Sequence, residues 1–177
     1  MKNALIVIDM LNEYAHEDAD VLVESVREAL PAMRRLVERA HEHGTPVVYV
    51  NDNYGDWSAG RPELIRRAVA GRARELVEPI APGEGTWFIA KARHSIFYET
   101  QLEYLLREQE VERIVLVGQV TEQCILYSAL DAYVRRFRVA VPRDAVAGIH
   151  PDLAQAALRM MQRNMRADVV DADDCSL

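Results

Sequence analysis

The sequence has no long apolar run and few cysteines. Its longest uninterrupted apolar segment is ALIVI at 4–8, far short of the roughly 20 residues that a membrane-spanning helix needs. The N-terminal stretch has one lysine and no small-residue cleavage site, so it does not read as a signal peptide. Two cysteines are too few for a disulfide framework. We therefore expect a cytoplasmic protein that does not associate with a membrane.

Basic residues are also fewer than acidic ones: the 21 lysines and arginines and the 28 aspartates and glutamates give a net charge of −7. An acidic surface repels a phosphate backbone, which argues against a nucleic-acid partner. The arginine pairs at 34–35, 66–67 and 135–136 lie beside glutamates in helical patterns and indicate solvated faces. Half of the 177 residues are hydrophobic, which is typical of a globular protein, and the length predicts one domain over 1–177.

Short apolar runs alternate along the chain with longer segments of helical period. This pattern predicts an α/β fold of three layers, α/β/α, in which helices cover both faces of a six-stranded parallel sheet. The predicted strands are Ala4–Ile8, Pro46–Asn51, Thr86–Ala90, Arg113–Gly118, Arg138–Val141 and Asp168–Val170. The predicted helices are Val21–His43, Pro62–Leu76, Thr100–Glu108, Thr121–Arg135 and Pro151–Asn164, with Gly44 ending the first.

Three reactive side chains follow predicted strands, where folds of this class bind their ligands. Asp9 ends the first strand, Lys91 follows the third, and Cys124 lies one turn into the helix after the fourth. Because the carboxyl ends of parallel strands meet at one edge of the sheet, we expect the three to lie close together. No histidine follows a strand in a comparable place, so the sequence does not predict a Cys–His pair.

Each of the three residues also has a purely structural interpretation. Cys124 could be a small buried hydrophobe, Asp9 a loop cap or a structural ion pair, and Lys91 an ordinary surface lysine. The chemical interpretation makes Thr121 an N-cap, which places the Cys124 thiol at the start of a helix and favours the thiolate. A partly buried carboxylate would then serve as the base, and a neighbouring ammonium would hold it in place.

Three segments occur in this order along the chain: ALIVIDMLNEY, KARHSIFYETQLEYLL and GQVTEQCILYSALDAY. Together they resemble the isochorismatase-like cysteine hydrolases, a family that includes nicotinamidases, N-carbamoylsarcosine amidases and ureidoacrylate hydrolases. The resemblance implies a six-stranded parallel sheet, a homodimer or homotetramer, and a catalytic triad of Asp9, Lys91 and Cys124. It also implies a cis peptide between Gln119 and Val120, which turns the Val120 and Cys124 amides toward a common oxyanion site.

Nicotinamidase-type members bind a divalent metal through an aspartate and histidines shortly after the second strand. Here the segment NDNYGDW supplies Asp52, but no histidine occurs between 44 and 93. His41 and His43 precede the strand at a helix end, where they complement the helix dipole. We therefore expect no metal and no other cofactor, and nicotinamide becomes a less favoured substrate.

Several aromatic residues are candidates for the wall of a substrate pocket. Tyr14 matches an aromatic position of the family, whereas Trp57, Phe97 and Tyr127 are looser candidates because aromatics near strand ends more often belong to the core. Leu11 departs from the glutamine that the family usually carries. The loops at 52–60 and 92–98 decide the substrate, and their shape cannot be read from the sequence pattern.

Two further reactive residues are expected to have no catalytic role. Asp144, in VPRDAVAG, is expected to be a turn or cap residue. Cys175, in the acidic segment DADDCSL, has neither a strand nor a helix start to activate it and is expected to be incidental.

The resemblance favours a cysteine hydrolase that cleaves a C–N bond of a small amide, carbamoyl or ureido substrate. A thiolate attacks the carbonyl, the amine leaves protonated, and water hydrolyses the thioester, with Asp9 as the proton shuttle. One alternative is a vinyl-ether hydrolase of the isochorismatase type, which uses Asp9 and needs no thiol. Another is a binding protein that keeps the fold without catalysis. Cys124 favours the first of these, since true isochorismatases characteristically lack this cysteine.

Overall fold

The computed structural model describes the whole chain, residues 1–177. Its strands are β1 (Asn3–Ile8), β2 (Val47–Asp52), β3 (Trp87–Lys91), β4 (Arg113–Gln119), β5 (Arg138–Pro142), β6 (Val146–Ala147) and β7 (Asp168–Val170). Its α-helices are α1 (Ala19–Glu42), α2 (Arg61–Ala70), α3 (Arg74–Val77), α4 (Leu102–Glu108), α5 (Leu126–Val134) and α6 (Pro151–Asn164). Short 3₁₀ turns cover Glu78–Ile80 and Ala172–Asp174, and a π-helical turn covers Thr121–Ile125.

All strand pairs of the sheet are parallel, and the strand order is β3-β2-β1-β4-β5-β7. This confirms the predicted α/β class and its six strands, to which the structure adds the two-residue β6 paired with β4. The order of connection reverses between β1 and β4, so a crevice opens beyond the carboxyl ends of these two central strands. None of the helices combines the length and the apolar character that crossing a membrane would require.

The two faces of the sheet bury separate apolar clusters. Along β1, Leu5 and Val7 belong to one cluster, whereas Ala4, Ile6 and Ile8 belong to the other. Residues of α1, α2 and α3 complete the first cluster, and residues of α4, α5 and α6 complete the second. Both faces of the strands are therefore covered, which explains why they consist of nearly continuous apolar runs.

The first helix ends as the sequence predicts. Gly44 has a φ of +67°, and its amide donates to the His41 carbonyl at 3.2 Å. The Thr45 amide donates to the Ala40 carbonyl at 2.8 Å. This pair of bonds is a Schellman-type ending, which requires the left-handed conformation that glycine adopts readily.

Two predicted helices differ from the observed ones. The segment predicted as Pro62–Leu76 breaks at Gly71, whose extended backbone ends α2 and packs so closely on Glu13 that no side chain would fit. The segment predicted as Thr121–Arg135 begins as a π-helical turn with Val120, not Thr121, at the N-cap position. The predicted Thr121 cap is wrong because Thr121 is itself the first residue of the turn.

Gly118 sits where the two central strands meet. It pairs with Ile8 of β1 in the sheet and has a φ of +115°. A Cβ atom at this position would overlap the carbonyl oxygen of Ile8. Glycine is therefore required for the close approach of β4 to β1 beneath the crevice.

We expect Gly118→Ala to lower the free energy of unfolding by about 3 kcal/mol or more, because it adds backbone overlap to an unfavourable φ. Gly85→Ala is the matched control, since Gly85 has a φ of +75° but open space where the added methyl group would lie. It should cost only about 1–2 kcal/mol. Urea denaturation measures both, and equal losses for the two variants would contradict the packing argument.

Candidate active site

The structure brings Asp9, Lys91 and Cys124 together at the carboxyl edge of the sheet. Asp9 follows β1, Lys91 is the last residue of β3, and Cys124 lies in the π-helical turn after β4. The Lys91 Nζ atom is 2.9 Å from Asp9 Oδ2 and 3.6 Å from Cys124 Sγ. All three side chains are buried, and that of Lys91 is fully inaccessible to solvent. Lys91 thus bridges a carboxylate and a thiol contributed by two other strand ends.

Hydrogen bonds hold Asp9 from three sides. Its backbone amide donates to the Val50 carbonyl at 3.0 Å, and its Oδ1 accepts from the Asp52 amide at 2.7 Å. Its carbonyl accepts from Gln119 Nε2 at 2.6 Å. The residue has a φ of +55°, a left-handed conformation that aspartate tolerates better than most side chains. The carboxylate is therefore fixed relative to β2 and β4.

Burial and the charge of the partner shift the pKa values of Asp9 and Lys91 in opposite directions. Burial raises the pKa of the Asp9 carboxyl, and this effect outweighs the positive charge of Lys91, which lowers it. Burial alone would lower the pKa of Lys91, but the Asp9 carboxylate, through its charge and its hydrogen bond, and the charge of Asp52 act in the opposite direction, and the pKa of Lys91 is raised. Lys91 consequently stays protonated, while Asp9 has more affinity for a proton than an exposed aspartate.

Burial raises the pKa of the Cys124 thiol strongly, and the Asp9 carboxylate raises it further, while Lys91 acts in the opposite direction. Burial therefore acts against the effect expected of the helix start, which is to favour the thiolate. The Cys124 thiol holds its proton more tightly than an exposed cysteine does.

His94 is a site residue that the sequence analysis missed. Its Nδ1 atom is 3.7 Å from Cys124 Sγ, and its ring lies tilted against Tyr127 with centroids 5.5 Å apart. The sequence did not predict this contact, which arises because the loop after β3 brings His94 alongside the sulfur. The available signal was its position three residues after Lys91, just beyond the predicted strand end.

The turn that carries Cys124 is held by its neighbours. The peptide bond between Gln119 and Val120 is cis, and the Val120 carbonyl accepts from the amides of Gln123 and Ile125 at 3.0 and 3.1 Å. The Glu122 carboxylate accepts from the Ile149 and His150 amides at 2.9 and 2.7 Å. Glu122, which the sequence analysis also missed, thereby ties the turn that carries Cys124 to the segment before α6.

A cavity of about 320 Å³ opens above the three residues. The residues that line it are Asp9, Asn12, His16, Asp18, Leu22, Asp52, Tyr54, His94, Gln119, Val120, Gln123, Cys124 and Ile149. A larger hollow of about 660 Å³ lies elsewhere, beside β5 and the end of α6, and contains none of the three reactive residues. The smaller cavity is the one in which chemistry at Cys124 can occur.

The aromatic residues predicted to wall the pocket do not line this cavity. Tyr14 is fully buried, and its hydroxyl donates to Gln119 Oε1 at 3.3 Å. Phe97 is buried and stacks on Phe137 at 5.9 Å, whereas Trp57 is 83% exposed. Tyr127 is half-exposed and reaches the site only through its contact with His94. These four predictions are corrected because three of the side chains pack below or beside the cavity and Trp57 points into solvent.

Tyr54 supplies the aromatic wall instead. Its hydroxyl donates to the Leu11 carbonyl at 2.9 Å, while the residue as a whole is 43% exposed. Asn51 fixes the same segment, accepting from the Leu11 amide at 2.8 Å and donating to the Leu11 carbonyl at 3.1 Å. Leu11, which stands where the family usually has glutamine, is therefore held through its backbone. Its side chain is buried in the core.

Asp144 and Cys175 both serve the C-terminal segment. Asp144 Oδ1 accepts from the Ala172 amide at 2.7 Å, which agrees with its predicted role as a cap. Cys175 is buried among core residues, and its carbonyl accepts from Arg39 Nη2 at 2.6 Å. Cys175 does not line the cavity, and it packs the end of the chain against α1.

The metal implied for nicotinamidase-type members does not fit the residues present. Asp52 Oδ2 lies 3.4 Å from Lys91 Nζ, and Asp52 Oδ1 accepts from the Tyr54 amide at 2.7 Å, so both oxygens already have partners. No group of three or more His, Cys, Asp or Glu side chains is arranged to hold a metal ion. This donor set differs from an aspartate flanked by histidines.

The sequence is similar to a protein family and to several known proteins. Residues 3–174 match the family profile described as the isochorismatase domain. The chain is 31% identical over 166 residues to the isochorismatase family protein YaaI of Bacillus subtilis, covering 94% of this chain and 92% of that protein. It is 32% identical over 165 residues to maleamate amidohydrolase of Pseudomonas putida, covering 89% and 78% of the two chains.

A solved structure agrees with these sequence matches. The crystal structure of N-carbamoylsarcosine amidase from Thermoplasma acidophilum superposes with a TM-score of 0.77 at 29% identity and covers 100% of both chains. The resemblance noted from the three sequence segments is thereby confirmed. The chain belongs to the isochorismatase domain family.

Proposed function

We propose that the protein is a cysteine hydrolase that cleaves a C–N bond of a small amide, carbamoyl or ureido compound. The observation that carries the proposal is the position of Lys91 Nζ, 2.9 Å from Asp9 Oδ2 and 3.6 Å from Cys124 Sγ. A base, a cation and a thiol in contact at the floor of a cavity are the components that nucleophilic catalysis requires. The names of maleamate amidohydrolase and N-carbamoylsarcosine amidase support C–N cleavage.

In the first step of the proposed reaction, Asp9 accepts the thiol proton and Lys91 stabilises the resulting thiolate. The sulfur adds to the substrate carbonyl carbon, so a C–S bond forms and the carbonyl electron pair moves to oxygen. The backbone amides of Val120 and Cys124 are the proposed donors to this oxyanion. The raised pKa of Asp9 suits a group that must take a proton from a buried thiol.

In the second step, protonated Asp9 gives its proton to the substrate nitrogen as the C–N bond breaks and a thioester remains. Asp9 then removes a proton from a water molecule that attacks this thioester. Collapse of the second tetrahedral intermediate releases the acid and returns the sulfur as a thiol. One carboxylate thus acts alternately as base and acid, which its fixed position beside Lys91 permits.

Cys124→Ala and Cys124→Ser should lower kcat for ammonia release from an amide substrate by at least about a thousandfold, because both remove the nucleophile. Circular dichroism should show that both variants fold, since the change in volume is small. Cys175→Ser is the control and should keep its turnover. Ammonia release within tenfold of wild type in Cys124→Ala would contradict the triad.

The pH dependence of kcat/KM should show the pKa of Asp9, which burial raises. The base must be ionised, so activity falls as the pH drops through its pKa, and burial places this acid limb above the range of an ordinary aspartate. Lys91 lowers the pKa of Asp9, so the residual activity of Lys91→Met should have its acid limb at still higher pH. An unchanged or downward-shifted limb in Lys91→Met would contradict the proposed coupling.

Chelation should leave turnover unchanged, because both oxygens of Asp52 are already bonded and no cluster of metal ligands adjoins the cavity. The measurement compares initial rates before and after dialysis against EDTA, with elemental analysis of the same samples. Stoichiometric metal that is removed together with the activity, and restores it on return, would overturn this prediction.

A further inference from the structure

The charged groups that line the cavity are predominantly negative. Asp9, Asp18 and Asp52 all contribute to the lining, whereas no arginine or lysine does. Lys91 lies behind the floor with a fully buried side chain, and its ammonium contacts Asp9 at 2.9 Å and Asp52 at 3.4 Å. The one nearby cation is therefore already balanced by carboxylates of the protein.

The carboxylate of Asp18 is available to a ligand. Asp18 occupies the N-cap position of α1, yet its side chain forms no capping hydrogen bond. It is exposed at the rim of the cavity, on the segment that also brings Asn12 and His16 to the lining. This rim therefore offers a hydrogen-bond acceptor with negative charge, together with amide and imidazole groups.

Two arginines, Arg67 and Arg93, do not offset this charge. Arg67 is paired with Glu13 and Asp56. Arg93 precedes His94 in the chain and is exposed, but it does not line the cavity. A substrate carboxylate would thus enter among aspartates without the bidentate guanidinium partner that usually binds such a group.

We propose that the substrate is a small amide without a carboxylate, and that the part remote from the scissile bond is neutral or a protonated amine. This inference rests on the proposed hydrolase function and narrows it. Negative charge in a partly desolvated cavity disfavours an anionic ligand more strongly than it would in open water. The preferred compounds therefore differ from maleamate, the acid named for one relative.

Alkylation of Cys124 tests the charge preference without requiring turnover. Iodoacetamide and iodoacetate are nearly equal in size and differ by one negative charge. Rates are measured by mass spectrometry in Cys175→Ser protein, at one pH, and normalised to the rates of 2-mercaptoethanol. We expect iodoacetamide to react about fivefold faster or more at low salt, and the ratio to approach one in about 0.5 M salt. An equal or faster normalised rate for iodoacetate would overturn the inference.

Asp18→Asn should reduce the discrimination between the two reagents by about twofold or more, because it removes one charge at the rim. Glu17→Gln is the matched control, since Glu17 is exposed, adjacent in the chain and absent from the lining. It should leave the ratio unchanged. Equal effects of the two substitutions would assign the preference to overall protein charge and overturn the role of this cavity.

Hydrolysis of matched primary amides completes the test. Butyramide, β-alaninamide and succinamate carry neutral, positive and negative ends, respectively. Aromatic and unsaturated primary amides, each again with a neutral, a positive and a negative member, extend the panel. Ammonia release should favour the neutral and cationic members of each set over the anion. Preferred hydrolysis of the anions, lost in Arg93→Gln, would overturn the charge inference and leave the hydrolase function standing. Release from no member, despite normal alkylation of Cys124, would overturn the assignment of an amide substrate, whereas the proposed hydrolase function fails only if Cys124→Ala keeps its activity.

Discussion

The ion pair between Lys91 Nζ and Asp9 Oδ2, 2.9 Å long and buried, is the interaction on which the arrangement of the site depends. Neither charge could be buried alone, since leaving one partner uncompensated in such a pair costs about 3–5 kcal/mol. The pair joins the ends of β1 and β3, which are separated in the sheet by β2. It therefore fixes the carboxylate and the ammonium relative to each other.

The central strands supply the rest of this constraint. The order of connection reverses between β1 and β4, and the required glycine at 118 lets their backbones approach at that point. Beyond the glycine, Gln119 bonds the Asp9 carbonyl at 2.6 Å, and the next turn presents Cys124. Packing in the sheet and placement of the reactive groups are thus consequences of the same contact between two strands.

The sequence predicted those features that depend on local pattern. The unbroken apolar run ALIVI identified β1 as a doubly buried strand, and residues at strand ends identified Asp9, Lys91 and Cys124, which the structure places in contact. Features that depend on the path of a loop were not predicted. His94 and Tyr54 reach the cavity because their loops fold back over the sheet edge, which composition does not encode.

Burial also changed the chemistry that the pattern suggested. Proximity to a helix start favours an ionised Cys124, whereas burial raises the pKa of this thiol. The extent of burial depends on how completely neighbouring side chains exclude water, which is a property of the tertiary packing. In the proposed reaction, the sulfur is therefore ionised by proton transfer to Asp9.

Rapid-quench mass spectrometry on an amide from which the enzyme releases ammonia tests the central claim most directly. We predict that the acyl part of the substrate appears transiently on the peptide containing Cys124, at a rate at least as fast as turnover. The adduct should have the mass of a thioester and disappear as the acid product forms. Product formation at an undiminished rate with no acyl group on Cys124 at any time would contradict the account.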